Sequence, residues 1–307
     1  MGRGRSFRTR RSRRLIKHGN NGFSVYGELE QDGALARLGV GLSTEGLKLR
    51  LDGAPAAGMA ALAQRLAVHV IEPNMHRLIE GSPQERRRFL DWGVFHVEQD
   101  YLDAWRRYRR ILCQRNAALK MACGLEAWNG ALVEAATVVD QARTRYLERL
   151  SDGLRGLGEK LLNCPLEIKY RRGWAGSADF AEALAGSESR DRAAGVTQVG
   201  PHRADISVSM DARGVREEVS RGQQKLVAAA LILAQIRVFA LGREDGGVLL
   251  VDDPAAELDR GALRGLVSLL EGLPAQLIMT GLSETLLRPA PGYPVFHVEQ
   301  GRVTPML

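Results

Sequence analysis

Apolar and polar positions alternate in short runs over the first part of the chain and then change to a helical period. "FSVYGELE" (Phe23–Glu30), "ALARLGVGLS" (Ala34–Ser43) and "LKLRL" (Leu47–Leu51) predict antiparallel strands. "QDG" and a turn near Glu45-Gly46 join them into a meander. "LAVHVI" (Leu66–Ile71) predicts another short strand, ended at Glu72-Pro73 because proline lacks the N–H that further pairing needs. From Ser82 the pattern is helical. Ser82 is placed to cap, Pro83 to fill the first helical position and Glu85 to close a capping box. Beyond Tyr101, the apolar residues Leu102, Trp105, Tyr108 and Leu112 recur at helical spacing, and a longer helix covers Ala127 to Leu161. These pieces predict an all-helical insert.

Strand character returns at "LEIKYRR" (Leu166–Arg172) and "ADISVSM" (Ala204–Met210). After Ser220 a proline-free run rich in strong helix formers predicts a buried helix. "GVLLVDD" then reads as a buried strand of the parallel type, "LRGLVSLLEGL" as a helix and "AQLIMT" as a second buried strand. The chain closes with a hairpin turning at Gln300-Gly301.

Composition narrows the setting. A hydrophobic share of 45% over 307 residues is enough for a sizeable core, and no apolar run suggests a membrane span. Cys113, Cys123 and Cys164 are an odd number at spacings foreign to zinc sites, which favours a reducing cytoplasm. The net charge of +7 favours an anionic partner, nucleic acid first among them. Two basic clusters carry it. Residues 1–17 hold eight Arg or Lys and no acid, a start that also imitates a transit peptide. The second cluster comprises Arg86, Arg87, Arg88, Arg106, Arg107, Arg109, Arg110 and Arg115. A solvated helix face explains either cluster equally well. If these arginines do meet DNA, the contact is electrostatic and insensitive to sequence, since no base-reading motif is present.

Candidate chemistry concentrates in "VLLVDDPAAELD" (Val248–Asp259). Asp252 falls at the carboxyl end of a strand, where open α/β sheets place ligand groups, and could hold Mg²⁺. Asp253 beside it could orient or deprotonate an attacking water. Upstream, "SRGQQK" (Ser220–Lys225) puts a hydroxyl and free N–H groups at the positive end of a helix, where a phosphate could sit. Taken singly, an acidic loop and an ordinary helix cap explain these segments. A metal-dependent nuclease built on Asp252 and Asp253 finds no third ligand cluster to support it.

Taken together, the segments "GRSFRT", "QERRRFLDWGVFH", "CQRNAALK", "GPHRADI", "SRGQQKL", "LLVDDPAAELD" and "FHVEQGRV" resemble, in order, the RecF family of bacterial DNA replication and repair proteins. The resemblance runs from about Gly4 to the C-terminus. It implies an α/β fold: an ABC-type ATPase head with an antiparallel β-meander and an inserted α-helical arm domain. The implied divisions are 1–74 (first part of the head), 75–196 (helical arm) and 197–307 (second part of the head). It makes Asp252 the Walker B magnesium carboxylate and Asp253 the residue facing the attacking water. Ser220, Gly222 and Gln223 become the signature that meets ATP held by the other protomer, and Glu257 to Asp259 the D-loop at the dimer seam. Thr280 stands near the switch position and His69 where relatives carry a glutamine that contacts magnesium or water.

The implied function is ATP-dependent DNA binding in recombinational repair and replication restart, as a homodimer working with RecO and RecR. Among the arginines, Arg86, Arg87, Arg106, Arg107, Arg109 and Arg110 are the candidate DNA contacts. No G-x-x-x-x-G-K-[ST] run occurs. In the family that loop precedes the "GR-FR" segment at which this chain starts. ATP and Mg²⁺ are therefore expected as cofactors only once such a segment is restored, by correcting a misplaced start or completing a fragment, unless the loop is truly lost. The rival expectation is a non-enzymatic basic DNA-binding or interaction protein. His202 in "GPHR" could meet DNA or nucleotide but better fits a residue that fixes the entry to a strand, and His297 is expected to be structural.

Overall fold

The computed structural model describes residues 2, 9, 11–31, 33–121, 124–175, 179–241, 243, 246–256, 258–282 and 293–306. Strands β1 (Gly22–Gln31), β2 (Ala34–Ser43), β3 (Gly46–Leu51) and β4 (Ala54–Pro55) form an antiparallel sheet in that order. Its first pair runs in unbroken register from Gly22↔Ser43 to Gln31↔Ala34. Helix α1 (Met59–Arg65) leads to β5 (Val68–Ile71), followed by α2 (Arg77–Glu80), α3 (Pro83–Val97), α4 (Tyr101–Met121) and α5 (Glu126–Leu162). Ser82 and Glu85 close the expected capping box on α3. Helix α5 stops at Asn163, whose φ of 54° is left-handed, a conformation that asparagine tolerates.

The second half comprises β6 (Leu166–Arg171), α6 (Phe180–Ala194), β7 (Asp205–Met210), β8 (Arg213–Gly214), α7 (Val215–Glu218) and α8 (Arg221–Ala240). Then come β9 (Val248–Asp252), α9 (Arg260–Glu271), β10 (Gln276–Thr280) and the hairpin β11 (Val295–Glu299) and β12 (Arg302–Met306). Strands β10, β9 and β5 form a parallel sheet in that order, with β9 central. One core cluster joins α5 (Tyr146, Leu150, Leu154), α8 (Val227, Leu231, Ala234), β7 (Ile206) and β9 (Leu249, Val251). Helix α8 is long and apolar enough to cross a membrane by length and composition, but 78% of its apolar window is buried inside the fold. It is the central core helix.

The strand expected at Leu166–Arg172 is present and pairs antiparallel with β7 from Leu166↔Met210 to Arg171↔Asp205, so one sheet links residues on either side of 196. The alternation that makes β6 a strand, with Leu166, Ile168 and Tyr170 inward, serves this pairing. Strand β10 is not a buried strand: it borders the parallel sheet and exposes Gln276, Ile278 and Thr280 in alternation. Helix α6 was not expected at all. Its buried stripe mixes Phe180 and Leu184 with Ser187 and Asp191, so no apolar period marks it.

Candidate functional site

Strand β9 carries Asp252 to the carboxyl end of the parallel sheet, flanked by Ile71 of β5 one register step back and by Thr280 of β10 directly alongside. The Thr280 hydroxyl donates to Asp252 Oδ1 at 2.9 Å. The Asp253 N–H donates to the Thr280 carbonyl at 3.1 Å, carrying the strand pairing one residue past β9. Asp253 sits there at a φ of 43°, a left-handed conformation that a non-glycine residue adopts only when its surroundings hold it. Both carboxylates are half-buried, and Asp252 Oδ2 has no partner among the described residues. That oxygen suits a cation bound from the sheet's edge. No group of three or more His, Cys, Asp or Glu side chains gathers among the described residues.

At the start of α8, Ser220 Oγ accepts from the Gln223 N–H at 3.3 Å, while Gln223 Oε1 accepts from the Ser220 N–H at 3.0 Å. Ser220 is exposed, and a Cβ added at Gly222 would meet only Ser220 Oγ, at 3.9 Å. This helix end therefore offers solvent-facing N–H groups and room for a phosphate. No hydrogen bond or ion pair links Ser220, Gly222 or Gln223 to Asp252, Asp253 or Thr280 among the described residues. Asp259 caps α9, accepting from the N–H groups of Gly261 (2.8 Å) and Ala262 (3.0 Å). These two bonds, that of Ala262 foremost, hold its carboxyl below the usual carboxylate range. Glu257 lies outside the described residues.

His69 is not a magnesium contact. It is buried at mid-strand, level with Leu249 of β9, about 10 Å short of Asp252 at the usual rise per residue. Its ring makes T-shaped contacts with Trp92 of α3 (4.6 Å) and Phe239 of α8 (6.2 Å). The odd–even alternation of β5 sends it into the helical layer. His202 spans the Tyr108 hydroxyl (2.6 Å) and the Thr197 carbonyl (3.0 Å) just before β7, so it fixes the entry to that strand. His297 stands in the terminal hairpin with Glu299 at 3.7 Å.

The arginine cluster divides. Arg86 is no DNA contact: it is 5% exposed and grips Asp205 through two parallel bonds of 2.7 and 2.9 Å. Its remaining donor group reaches the Ile79 and Gly81 carbonyls. Arg87 is half-buried and donates to the Ala204 carbonyl at 2.7 Å, so it serves the same strand entry. Arg115 is fully buried against Asp191 at 2.7 Å. Arg106, Arg107, Arg109 and Arg110 lie exposed on α4. Arg106 pairs with Asp103 (3.3 Å), Arg107 with Glu134 (3.1 Å), and Arg109 lies over the Trp105 ring at 4.9 Å. Sequence reasoning also missed Arg143, buried and bonded to Asp91 (2.7 Å) and to the Pro201 carbonyl. Its signal, a lone Arg among apolar helix positions, was present but carried no partner.

No family model matches the chain. The DNA replication and repair protein RecF of Pseudomonas fluorescens is 38% identical over 99% of this chain and 86% of its own length. That of Thioalkalivibrio sulfidiphilus is 39% identical over 97% of this chain and 85% of its own length. Among solved structures, the recombination mediator protein RecF-ATP in the RecFOR pathway superimposes with a TM-score of 0.85 at 24% identity, over 99% of this chain and 85% of that one. An Smc head domain with a coiled coil and joint from Pyrococcus yayanosii gives 0.57 at 13% identity, over 98% and 86% of the two chains. These likenesses show the fold, a mixed α/β head of the kind RecF and Smc proteins share.

Proposed function

Because the chain belongs to the RecF family of DNA replication and repair proteins, we propose that it is a nucleotide-responsive DNA-binding head acting in recombinational repair and replication restart. The observation that carries the reading is the carboxylate pair Asp252–Asp253 at the carboxyl end of the central parallel strand, with Asp252 Oδ2 unpartnered among the described residues. Magnesium-bound ATP would supply the charged phosphates whose hydrolysis is coupled to DNA binding. Asp252 would hold the cation, and Asp253 would orient the attacking water and accept its proton. The exposed start of α8 offers the Ser220 hydroxyl, the Gly222 N–H and the Gln223 side chain to nucleotide on a second copy, with Asp259 at the seam between copies. RecO and RecR are the partners by kinship, and the cytoplasm is the site of action.

The exposed arginines of α4, Arg106, Arg107, Arg109 and Arg110, provide the DNA-facing charge. A second reading rests on the sequence itself. The 307 residues contain no G-x-x-x-x-G-K-[ST] run, and that loop supplies most contacts to the β- and γ-phosphates in such sites. On this reading the chain by itself binds DNA without hydrolysing ATP. Fluorescence anisotropy on gapped DNA tests the DNA interface common to both: affinity should fall with salt with a log–log slope of about −0.9 per contacted phosphate. Replacing Arg106, Arg109 and Arg110 by alanine should flatten that slope. Binding indifferent to salt, or untouched by the triple substitution, removes the basis for both.

A further inference from the structure

We propose that Thr280 is a positioning residue for the Asp252–Asp253 pair, acting on both members at once. The inference rests on the proposed role of Asp252 as a cation ligand and deepens it. A strand-end aspartate is free to turn about its terminal torsion, which is broad and weakly biased. The Thr280 hydroxyl, donating to Oδ1 at 2.9 Å, restricts the turn of the carboxylate and leaves Oδ2 without a partner among the described residues. The same residue's carbonyl accepts at 3.1 Å the N–H of Asp253, whose φ of 43° is left-handed. One residue thus sets the direction of the ligand oxygen and the path of the backbone that carries the second carboxylate.

Two further observations support a role in positioning over one in folding. Thr280 is exposed at the end of the bordering strand β10, so its hydroxyl contributes little to the core. Threonine is branched at Cβ, which limits the rotamers of its hydroxyl and pre-orients the donor. Groups that orient metal ligands in this way commonly control affinity by roughly tenfold or more when removed.

The test uses the full chain and Mn²⁺ as the probe, with free Mn²⁺ followed by electron paramagnetic resonance in a titration to millimolar concentration. Asp252→Asn identifies the binding step that belongs to this carboxylate. Thr280→Val keeps shape and β-branching while removing the donor, and Thr280→Ser keeps the donor. We expect the Asp252-dependent step to weaken about tenfold in Thr280→Val and to recover in Thr280→Ser. If Asp252→Asn leaves Mn²⁺ binding unchanged, the cation-ligand reading fails and the positioning role fails with it. If Asp252→Asn abolishes the step while Thr280→Val matches the unaltered chain, the metal reading stands and the positioning role alone is overturned. Equal loss in Thr280→Val and Thr280→Ser also overturns it, since the hydroxyl is then not what matters.

Discussion

Replacing Arg86 by methionine should destabilise the protein by about 3 to 5 kcal/mol, the usual consequence of stripping one partner from a buried ion pair. The structure gives the terms. Arg86 makes two parallel bonds to Asp205, and both side chains are buried. The substitution keeps most of the side-chain volume but strands the carboxylate, which retains only the Ile206 N–H at 2.9 Å and the largely solvated Arg171 at 3.2 Å. The Ile79 and Gly81 carbonyls lose their donor as well, each worth about 1 kcal/mol or more where water cannot replace it. Against a total stability of roughly 5 to 15 kcal/mol, this is a large fraction. Urea unfolding followed by far-ultraviolet circular dichroism measures it.

The acid limb of stability supplies a second readout. Burial acts to raise the Asp205 carboxyl pKa, but the bonds and charge of Arg86, with the Ile206 N–H and Arg171, outweigh it and leave the group below its ordinary value. A depressed carboxylate contributes stability above its unfolded pKa and loses it as pH falls through the folded one. In Arg86→Met that depression is lost and burial dominates, so the stability gap between the variant and the unaltered chain should be widest near neutral pH and narrow as pH falls and Asp205 is protonated. Replacing Arg86 and Asp205 together by methionine and leucine should recover much of the loss, because no charge is then stranded. A single variant within 1 kcal/mol of the unaltered chain, or a double variant no better than the single, refutes the assignment of Arg86 as a structural bolt.

Ser220→Ala should cost about 1 kcal/mol in urea unfolding through loss of the α8 cap, and an unchanged midpoint would mean that the capping box contributes nothing. Burial lowers the pKa of His96 to about 3, with Arg243 adding to the effect, and that of His202 to about 4 despite the bond to Thr197. Both stay neutral when folded, so stability should fall as pH drops from about 6.5 to about 4, by at most about 2.7 kcal/mol per pH unit, and a flat profile there would contradict their burial. In a chimera carrying the phosphate-binding loop of a family member, Ser220→Arg should abolish ATP-dependent pairing seen by analytical ultracentrifugation while each head still binds ATP in calorimetry. In the same chimera Asp253→Asn should keep the pair and slow hydrolysis, and loss of ATP binding in Ser220→Arg would mean the signature acts within its own head.

The elements whose signal is local were legible in the sequence. The meander β1–β3 follows from period-two alternation and its turns, and α3, α5 and α8 follow from caps and composition, with bounds within a few residues of those observed. What escaped was set by partners distant in the chain. Helix α6 hides its buried stripe because Asp191 and Ser187 sit in it to serve Arg115, a residue 76 positions away. The exposure of β10 depends on its place in the strand order, which a run of apolar letters does not encode.

The same limit governs the site. Asp252 and Asp253 were legible because a strand ending in two aspartates places them by backbone geometry alone. Thr280 was visible only as a position, and its double hold on the pair emerges from the parallel register of β9 and β10. The arginines show the limit most clearly. Arg86 and Arg106 carry the same charge on neighbouring helices, yet Arg86 meets an aspartate 119 residues on, while Arg106 meets one a single turn back and keeps more than half its side chain in water. A count of positive residues gives both equal weight as DNA contacts. Burial separates them, because a guanidinium already bonded on every edge inside the fold has no donor to offer a phosphate, whereas a solvated surface pair worth at most about 1 kcal/mol can be exchanged for one. The charge available to the proposed DNA contact is therefore smaller than composition implies: in the second cluster it rests with the exposed Arg88 of α3 and Arg106, Arg107, Arg109 and Arg110 of α4.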